Sequence, residues 1–327
     1  TEMGEHGRRG NLVSGLRTRF SDSTSVYVEE RYEHSRSVTG LTHATGVSLA
    51  PFERWNFAAN SDIGTLRDRE TGAETKRRAG GLNVGYGFET VQLTSGVEYR
   101  YDDSQQVDGT WADRTTWLFK NSFKYQTTPD WRLVGKFNHA DSDSELGSFY
   151  DGGYTEAVLG YAFRPVNHDR LNALAKYTYF YNVPGADQLS GQEGAVSSEF
   201  IQKSHIAAVD VDYDLTSAWS VGGKYAYRLG QVSLDREDEE FFDNDAHLYI
   251  VRTDLRFREN WEGLAEVRML DLTDLNDRRS GALVAVYRYL GEHFKAGIGY
   301  NFTDFSDDLT DLSYDQHGVF LNLIGAM

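Results

Sequence analysis

Apolar and polar residues alternate along nearly the whole chain, with the period of two that a β-strand imposes. The stretch 82–88 shows the pattern, with leucine, valine, tyrosine and phenylalanine at even positions and only asparagine and glycine between them. No segment carries the apolar stripe with a 3.6-residue period that an amphipathic helix needs. About 17 such segments, each about ten residues long, follow one another. We therefore predict an all-β fold.

Short polar turns separate alternate pairs of segments, and aromatic residues stand beside these turns. The clearest cases run from Tyr125 to Trp131, from Tyr213 to Trp219 and from Phe257 to Trp261, and weaker copies surround 21–23, 51–54, 89–90, 165–169 and 291–292. Amphipathic rings prefer the depth of lipid headgroups. We predict an aromatic girdle at a lipid–water interface, formed by Trp55, Tyr125, Trp131, Phe163, Tyr213, Trp219, Phe257, Trp261 and Tyr289.

Longer links join the remaining pairs of segments, among them 102–115, 140–155, 184–200 and 234–246. Short turns at one end and long loops at the other are typical of bacterial outer-membrane barrels. We predict a single transmembrane domain over 11–327, an up-and-down antiparallel β-barrel of about 16 to 18 strands, with 1–10 as a disordered or upstream loop or linker. The odd count has two explanations: either the run 12–20 is not a wall strand, or a further strand precedes it.

Composition narrows the class of protein. The 327 residues include no cysteine, which excludes disulfides and thiolate metal sites. The mean hydropathy of -0.55 and the lack of a long apolar run exclude a transmembrane helix, but not transmembrane strands. A net charge of -17 argues against a nucleic-acid partner. No signal peptide opens the chain, so Thr1 is either a mature N-terminus or the start of a fragment.

The charges divide between the strands and the loops. If the apolar positions face lipid, the opposite positions are mainly basic, whereas acids gather in the links, as in 235–245 and 304–315. This basic wall has two interpretations: ladders of ion pairs that hold the wall rigid, or a field that selects anions. The predicted pore-lining residues are Arg100, Lys120, Lys124, Arg132, Lys136, Lys176, Lys224, Arg228, Arg252, Arg256, Arg268 and Lys295.

The C-terminal residues carry a resemblance to a known class. A polar residue, a glycine two positions later and alternating hydrophobic residues appear as Gln316, Gly318, Leu321 and Leu323. This ending resembles the insertion signal of Gram-negative outer-membrane β-barrel proteins, whose commonest form ends in Phe or Trp where this chain ends in Met327. The chain as a whole resembles a porin-like barrel of that class, and the stretch from 297 onward also resembles the C-terminal barrels of longer surface proteins.

This resemblance implies a location in the outer membrane of a Gram-negative bacterium. It also implies contact with the lipid bilayer, lipopolysaccharide and the outer-membrane insertion machinery, with further protein subunits or upstream domains as additional candidate partners. The expected function is a porin-like channel for small solutes, and the more specific hypothesis is a channel for anionic solutes. The alternative is a non-conducting outer-membrane anchor for a larger surface, adhesive or secretion assembly.

Catalysis and cofactor binding have little support in the sequence. No nucleophile elbow, phosphate loop or zinc-protease motif is present, so we expect no enzyme activity. We expect no cofactor, although the acidic outer loops are candidate sites for Ca²⁺ or Mg²⁺. The series Asp141, Asp143, Glu145 and Gly147 is similar to a calcium loop, but its glycine comes one place late for an EF-hand.

Overall fold

The fold is known from a computed structural model, which describes residues 2–4, 7–34, 38–69, 71–106, 108–147, 151–182, 201–233, 240–291, 294–303, 305, 309 and 318–325. Within these ranges no helix is long and apolar enough to cross a membrane. The described residues form β-strands, in the order β1 (Glu2–Gly4), β2 (Gly7–Ser21), β3 (Thr24–His34), β4 (Val38–Phe52), β5 (Trp55–Asp68), β6 (Glu74–Gly87), β7 (Val91–Gln105), β8 (Trp111–Gln126), β9 (Trp131–Ser144), β10 (Gly152–Phe163), β11 (Leu171–Asn182), β12 (Ile201–Thr216), β13 (Trp219–Ser233), β14 (Phe242–Asp243), β15 (Ala246–Arg258), β16 (Trp261–Leu272), β17 (Asp277–Leu290), β18 (Phe294–Asn301) and β19 (Gly318–Gly325).

The strands pair in antiparallel fashion with their neighbours in the chain. Contacts group the chain into two compact units, the first comprising 1–124, 136–156 and 182–199 and the second the remaining residues. In the first unit β1 to β7 pair in sequence order, and in the second unit β12 to β19 do so, with the short β14 beside the β13–β15 pair. Several strands are 14 to 16 residues long, which is longer than a tilted membrane strand requires.

Each unit has two chemically different faces. On one, which we call the apolar face, large hydrophobic side chains point outward without cover: Leu82 is 63% exposed, Val251 67% and Leu321 78%. The alternate residues form the polar face, where small and charged side chains predominate. Exposed hydrophobic surface on this scale is costly in water and marks a surface that contacts lipid or another apolar partner.

The predicted turns and links are found at the two ends of the strands. All eight predicted short turns fall between consecutive strands and define the short-turn end, although residue 292 of the turn at 291–292 lies outside the described residues. The other links define the long-loop end. The links predicted at 102–115 and 140–155 are shorter than expected, because β7 continues to Gln105 and β9 to Ser144. Polar residues there pair across strands, as Thr75 Oγ1 does with Ser104 Oγ at 3.0 Å. The predicted link 184–200 lies outside the described residues, as does the first part of the predicted link 234–246, residues 234–239. The rest of that link holds the short β14 and the first residue of β15.

The N-terminal run is a regular strand. The segment 12–20 belongs to β2, which pairs with β3 from Gly10↔His34 to Ser21↔Thr24. Residues 2–4 pair in turn with β2, so the described part of 1–10 lies in strands, where we had expected a disordered segment or a linker. Including β2, 17 strands of the described residues have eight residues or more, within the predicted range of about 16 to 18.

The polar face of the second unit carries an apolar cluster near the long-loop end. Its members come from β12, β13, β15 and β16, and include Ile206, Leu248 and Leu270. Phe305 and Leu309, from the link between β18 and β19, belong to the same cluster and are 0% and 1% exposed. This link therefore sends two apolar side chains back against the polar face.

Glycine on the polar face makes room for aromatic rings. A Cβ at Gly297 would lie 2.1 Å from Tyr287 Cδ1, so the Tyr287 ring rests directly on the glycine backbone. Tyr287 is 8% exposed in this position. Here the glycine serves close packing between β17 and β18, which explains why a small residue alternates with apolar ones.

The orientation of the two faces predicts a strong position effect of charge. Leu82→Arg places a guanidinium on the apolar face, five residues from the short turn and hence near the middle of an apolar band about 25 Å tall. We expect it to lower the free energy of unfolding by about 2–4 kcal/mol. Ser122→Arg, on the polar face at a similar height, should change it by less than about 1 kcal/mol. Urea titration of the folded protein in lipid vesicles measures both, and equal losses would contradict the assignment of faces.

The Tyr287–Gly297 packing predicts a penalty for one methyl group. Gly297→Ala forces the Tyr287 ring off its site, and we expect a loss of about 1–3 kcal/mol in the free energy of unfolding. Gly87→Ala is the matched control, since a Cβ there meets no atom within 4 Å. Thermal unfolding followed by electrophoretic mobility reports both variants. A stable Gly297→Ala protein would show that the ring does not require the glycine.

Candidate functional site

The predicted aromatic girdle lies on the apolar face at the short-turn end. Trp131 stacks on Tyr161 with ring centroids 4.6 Å apart and contacts Phe163 at 4.5 Å, and Trp55 contacts Tyr86 at 4.9 Å. The Trp219 indole donates a hydrogen bond to Thr253 Oγ1 at 2.8 Å. The alternation places eight of the nine predicted residues on this face, namely Trp55, Tyr125, Trp131, Phe163, Tyr213, Trp219, Phe257 and Trp261.

Tyr289 differs from the prediction. Its hydroxyl donates to Glu262 Oε2 at 2.7 Å, and its register partner on β18 is Lys295. Both partners belong to the polar face, because β17 turns Val284 and Val286 outward and its odd-numbered residues therefore face the other way. The sequence places Tyr289 beside a short turn, but only the strand register decides to which face it belongs.

In each unit, further aromatic rings that the sequence did not predict lie on the apolar face nearer the long-loop end, and we call them the second aromatic belt. Tyr99 and Trp117 have ring centroids 4.9 Å apart, and Tyr225 and Tyr249 are 5.1 Å apart. Histidines extend this belt, as where Tyr177 Oη and His205 Nδ1 lie 2.6 Å apart. Its members are about six to eleven residues from the short turns, which is about 20–36 Å along a strand. Two aromatic belts flanking an apolar band are what a tilted membrane wall requires.

The polar face of the first unit carries a connected group of ion pairs. Arg77 donates to both carboxylate oxygens of Asp102, from Nε at 2.8 Å and from Nη2 at 2.9 Å. Arg31 lies 3.0 Å from Glu29 and 3.7 Å from Asp62. The predicted pore-lining residue Arg100 donates to Glu98 at 2.9 Å. Positive charge on this part of the wall is therefore balanced locally.

A second group of ion pairs occupies the polar face of β12 to β18. Arg252 Nη2 lies 2.6 Å from Asp210 Oδ1 and 2.6 Å from Asp212 Oδ2. Lys295 donates to Glu262 Oε1 at 2.6 Å. Arg268 forms an ion pair with Glu266, and the Arg256 guanidinium lies 5.5 Å from the centroid of the Tyr289 ring.

The remaining predicted pore-lining residues have varied surroundings. Lys136 pairs with Glu156 at 2.7 Å, and Arg132 donates to Gln126 Oε1 at 2.8 Å. The alternation also places Lys176, Lys224, Lys120, Lys124 and Arg228 on the polar face. Lys120 and Lys124 are exposed there, whereas Arg228 is 1% exposed. All twelve lie on the predicted face; that this face lines an open pore stays a prediction.

The long-loop end holds the candidate cation sites. Most of the acidic residues in 235–245 and 304–315 lie outside the described residues. Within the described ranges no three His, Asp or Glu side chains come together as metal ligands. In the link between β7 and β8, Asp108 Oδ1 accepts hydrogen bonds from the Thr110 hydroxyl at 2.6 Å and the Thr110 amide at 2.9 Å. These two hydrogen bonds, and most of all the one from the Thr110 hydroxyl, lower the pKa of Asp108 below its usual value.

The predicted insertion signal is described only in part. Gly318 begins β19 with φ of 149°, a conformation that favours glycine, and Leu321 and Leu323 point outward on the apolar face at 78% and 72% exposure. Gln316 and Met327 lie outside the described residues. The described part is an apolar-faced last strand, and its role as a signal stays a prediction.

Comparisons with known proteins show which solved structures have a similar fold. No family model matches the chain, and no curated protein sequence matches it. Among solved structures, the FrpB iron transporter from Neisseria meningitidis (F3-3 variant) matches with a TM-score of 0.58 and 10% identity, covering 96% of this chain and 63% of that one. The copper transporter OprC matches at 0.53 and 10%, covering 91% and 64%. The ferric citrate transporter FecA, unliganded, matches at 0.53 and 12%, covering 97% and 61%.

The chain has the fold of an outer-membrane β-barrel. The predicted all-β antiparallel fold is thus confirmed. The exposed apolar face agrees with the expected location in the outer membrane of a Gram-negative bacterium. The chain spans less than two thirds of each of the three solved structures. At such low identity the likeness concerns the fold alone.

The double ion pair of Arg252 predicts a measurable contribution to stability. Arg252→Met leaves Asp210 and Asp212 facing each other without a cation. We expect a loss of about 1–3 kcal/mol in the free energy of unfolding. This loss is smaller than that for a fully buried ion pair, because the three side chains are partly exposed. Arg278→Met is the control, since Arg278 pairs with Asp271 at 2.9 Å but is 66% exposed; it should change stability by less than about 1 kcal/mol. Adding Asp210→Asn and Asp212→Asn to Arg252→Met should recover most of the loss in urea unfolding. No recovery would mean that Arg252 contributes through packing and not through charge.

Proposed function

We propose that the chain forms the wall of an outer-membrane β-barrel through which solutes cross the membrane. The observation that carries this proposal is the two-faced sheet: an apolar face with two aromatic belts, suited to lipid, and a polar face of charged side chains, suited to water. The likeness to solved structures described as copper, iron and ferric citrate transporters supports transport as the general activity.

The charge pattern refines the porin-like version of this function. Of the twelve basic residues predicted to line a pore, Arg100, Lys136, Arg252, Arg268 and Lys295 have a carboxylate partner within ion-pair distance. A paired cation attracts a passing anion weakly, because its partner cancels most of its field. Lys120 and Lys124 are exposed on the polar face and have no ion pair among the described residues, so we propose that they contribute to any anion preference.

One observation favours the alternative, a non-conducting membrane anchor. Phe305 and Leu309 fold back onto the apolar cluster of Ile206, Leu248 and Leu270, so part of the polar face near the long-loop end is dry. A lumen filled in this way holds the wall together without passing solute. Conductance separates the two functions.

We expect the full-length protein, purified from outer membranes and inserted into planar bilayers, to open in discrete conductance steps in salt. Under a KCl gradient the reversal potential should show a modest preference for chloride. The double variant Lys120→Gln/Lys124→Gln should reduce this preference, because it removes two exposed charges that have no ion pair among the described residues. The control Lys136→Gln/Glu156→Gln, which removes a paired cation and its partner together, should leave the preference unchanged.

Failure to observe any step, with protein shown to be folded by its electrophoretic mobility, would contradict the channel and favour the anchor. If the protein conducts but the lysine double variant does not change its ion preference, transport remains supported. The two lysines would then not determine the selectivity.

A further inference from the structure

A row of buried polar side chains without partners crosses the polar face of the second unit. Its atoms are Thr178 Oγ1 on β11, Ser204 Oγ on β12, Arg228 Nε and Nη1 on β13, and Asn244 Oδ1 just before β15. Within the described residues of this unit, every buried side-chain nitrogen or oxygen that makes no hydrogen bond belongs to this row. Most buried polar groups in proteins are hydrogen-bonded, so five exceptions in one place need an explanation.

The row is built around Gly230. Ser204 is the register partner of Gly230 on β12, and the Asn244 amide donates to the Gly230 carbonyl at 2.7 Å on the other side. Thr178 lies between Tyr177 and Tyr179, which both contact His205, the neighbour of Ser204. The strands β11, β12 and β13, with the segment just before β15, thus bring the polar groups to a similar level near the long-loop end.

The Arg228 guanidinium reaches into this row because residue 230 has no side chain. A Cβ at Gly230 would lie 2.7 Å from Arg228 Nε and 3.2 Å from its Cζ. The glycine therefore accommodates the guanidinium, and Arg228 is 1% exposed in this position. Thr178, Ser204 and Arg228 are all at least 98% buried.

Among the described residues, no carboxylate is recorded within ion-pair distance of Arg228, and Asp245 attracts it only from farther away. The nearby carboxylate of Asp245 is engaged elsewhere, where it accepts hydrogen bonds from the Gly230 amide at 3.1 Å and the Tyr227 hydroxyl at 3.2 Å. Toward the short-turn end the row borders the apolar cluster, including Ile206 and Leu248. A buried cation beside apolar groups and without a counter-ion is strongly destabilising, and the same low polarity strengthens its attraction for an anion.

We propose that this row is a binding site for an oxyanion, a carboxylate or phosphate group of an anionic solute. The guanidinium supplies N–H donors that match the planar oxygens of such groups, and the Ser204 and Thr178 hydroxyls rotate freely to donate as well. The Asn244 side chain contributes its amide nitrogen or its oxygen, since the two are interchangeable by a flip of the amide. The site goes beyond the transport function and does not depend on it, because binding is measurable without flux.

The test is calorimetric titration of the purified full-length protein in detergent, with sodium phosphate in one series and sodium acetate in another, at ionic strength held constant with NaCl. We expect saturable binding of at least one of the two anions, and the anion that binds identifies the class. Arg228→Met should weaken binding by about tenfold or more, since it removes the charged donor. The double variant Ser204→Ala/Thr178→Val should also weaken it, without removing charge.

Stability provides an independent readout that distinguishes a ligand site from a structural arginine. Without added phosphate or acetate, Arg228→Met and Ser204→Ala/Thr178→Val should unfold at a temperature no lower than the parent protein, because each removes polar groups that lack partners. The exposed Arg278→Gln, in the same unit, removes the same charge as a control and should leave anion binding unchanged.

Two results would overturn the proposal. If neither anion binds the parent protein, water molecules alone satisfy the row. If an anion binds but neither the arginine variant nor the double variant weakens the binding relative to Arg278→Gln, the anion binds elsewhere. Should Arg228→Met fail to fold, the double variant alone decides between these outcomes.

Discussion

The whole structure depends on the hydrogen bonds between neighbouring strands. Inside a membrane no water is available for unpaired backbone N–H and C=O groups, so each strand must satisfy them through its two neighbours. This pairing fixes the pleat, and the pleat sends successive side chains to opposite faces. The apolar face, the two aromatic belts and the charged polar face all follow from that single geometric constraint. A shift of one residue in any strand would exchange its two faces.

On the polar face, the same registers decide which charges meet. Arg252 faces two aspartates from β12 across β13, and Lys295 reaches a glutamate of β16 across β17. The partners are separated by 33 to 42 residues in the chain. Local ion pairs between strands therefore neutralise part of the positive charge on this wall.

Of the two interpretations that the sequence left open, ion pairs account for five of the twelve predicted basic residues, and the others differ in kind. Lys120 and Lys124 are exposed and can act on passing solute. Arg228 is buried, and its guanidinium packs against the backbone of Gly230. Sequence reasoning identified all three as basic residues on one face but had no means of separating an exposed cation from a buried one, because burial depends on neighbours that are distant in the chain.

The sequence by itself determined the all-β fold, the eight short turns, the girdle beside them and the face of nearly every predicted residue, because all of these follow from local alternation and turn chemistry. The sequence prediction was wrong where no local pattern distinguishes the alternatives. The polar end of β7, residues 102–105, was predicted to be a loop, and Tyr289 was predicted to belong to the girdle. The ion-pair partners, the second aromatic belt, the packing of Phe305 and the row around Gly230 were decided only by the tertiary structure. The reason is physical: each depends on the register between strands, which is set by the sum of many hydrogen bonds and contacts and not by any one segment.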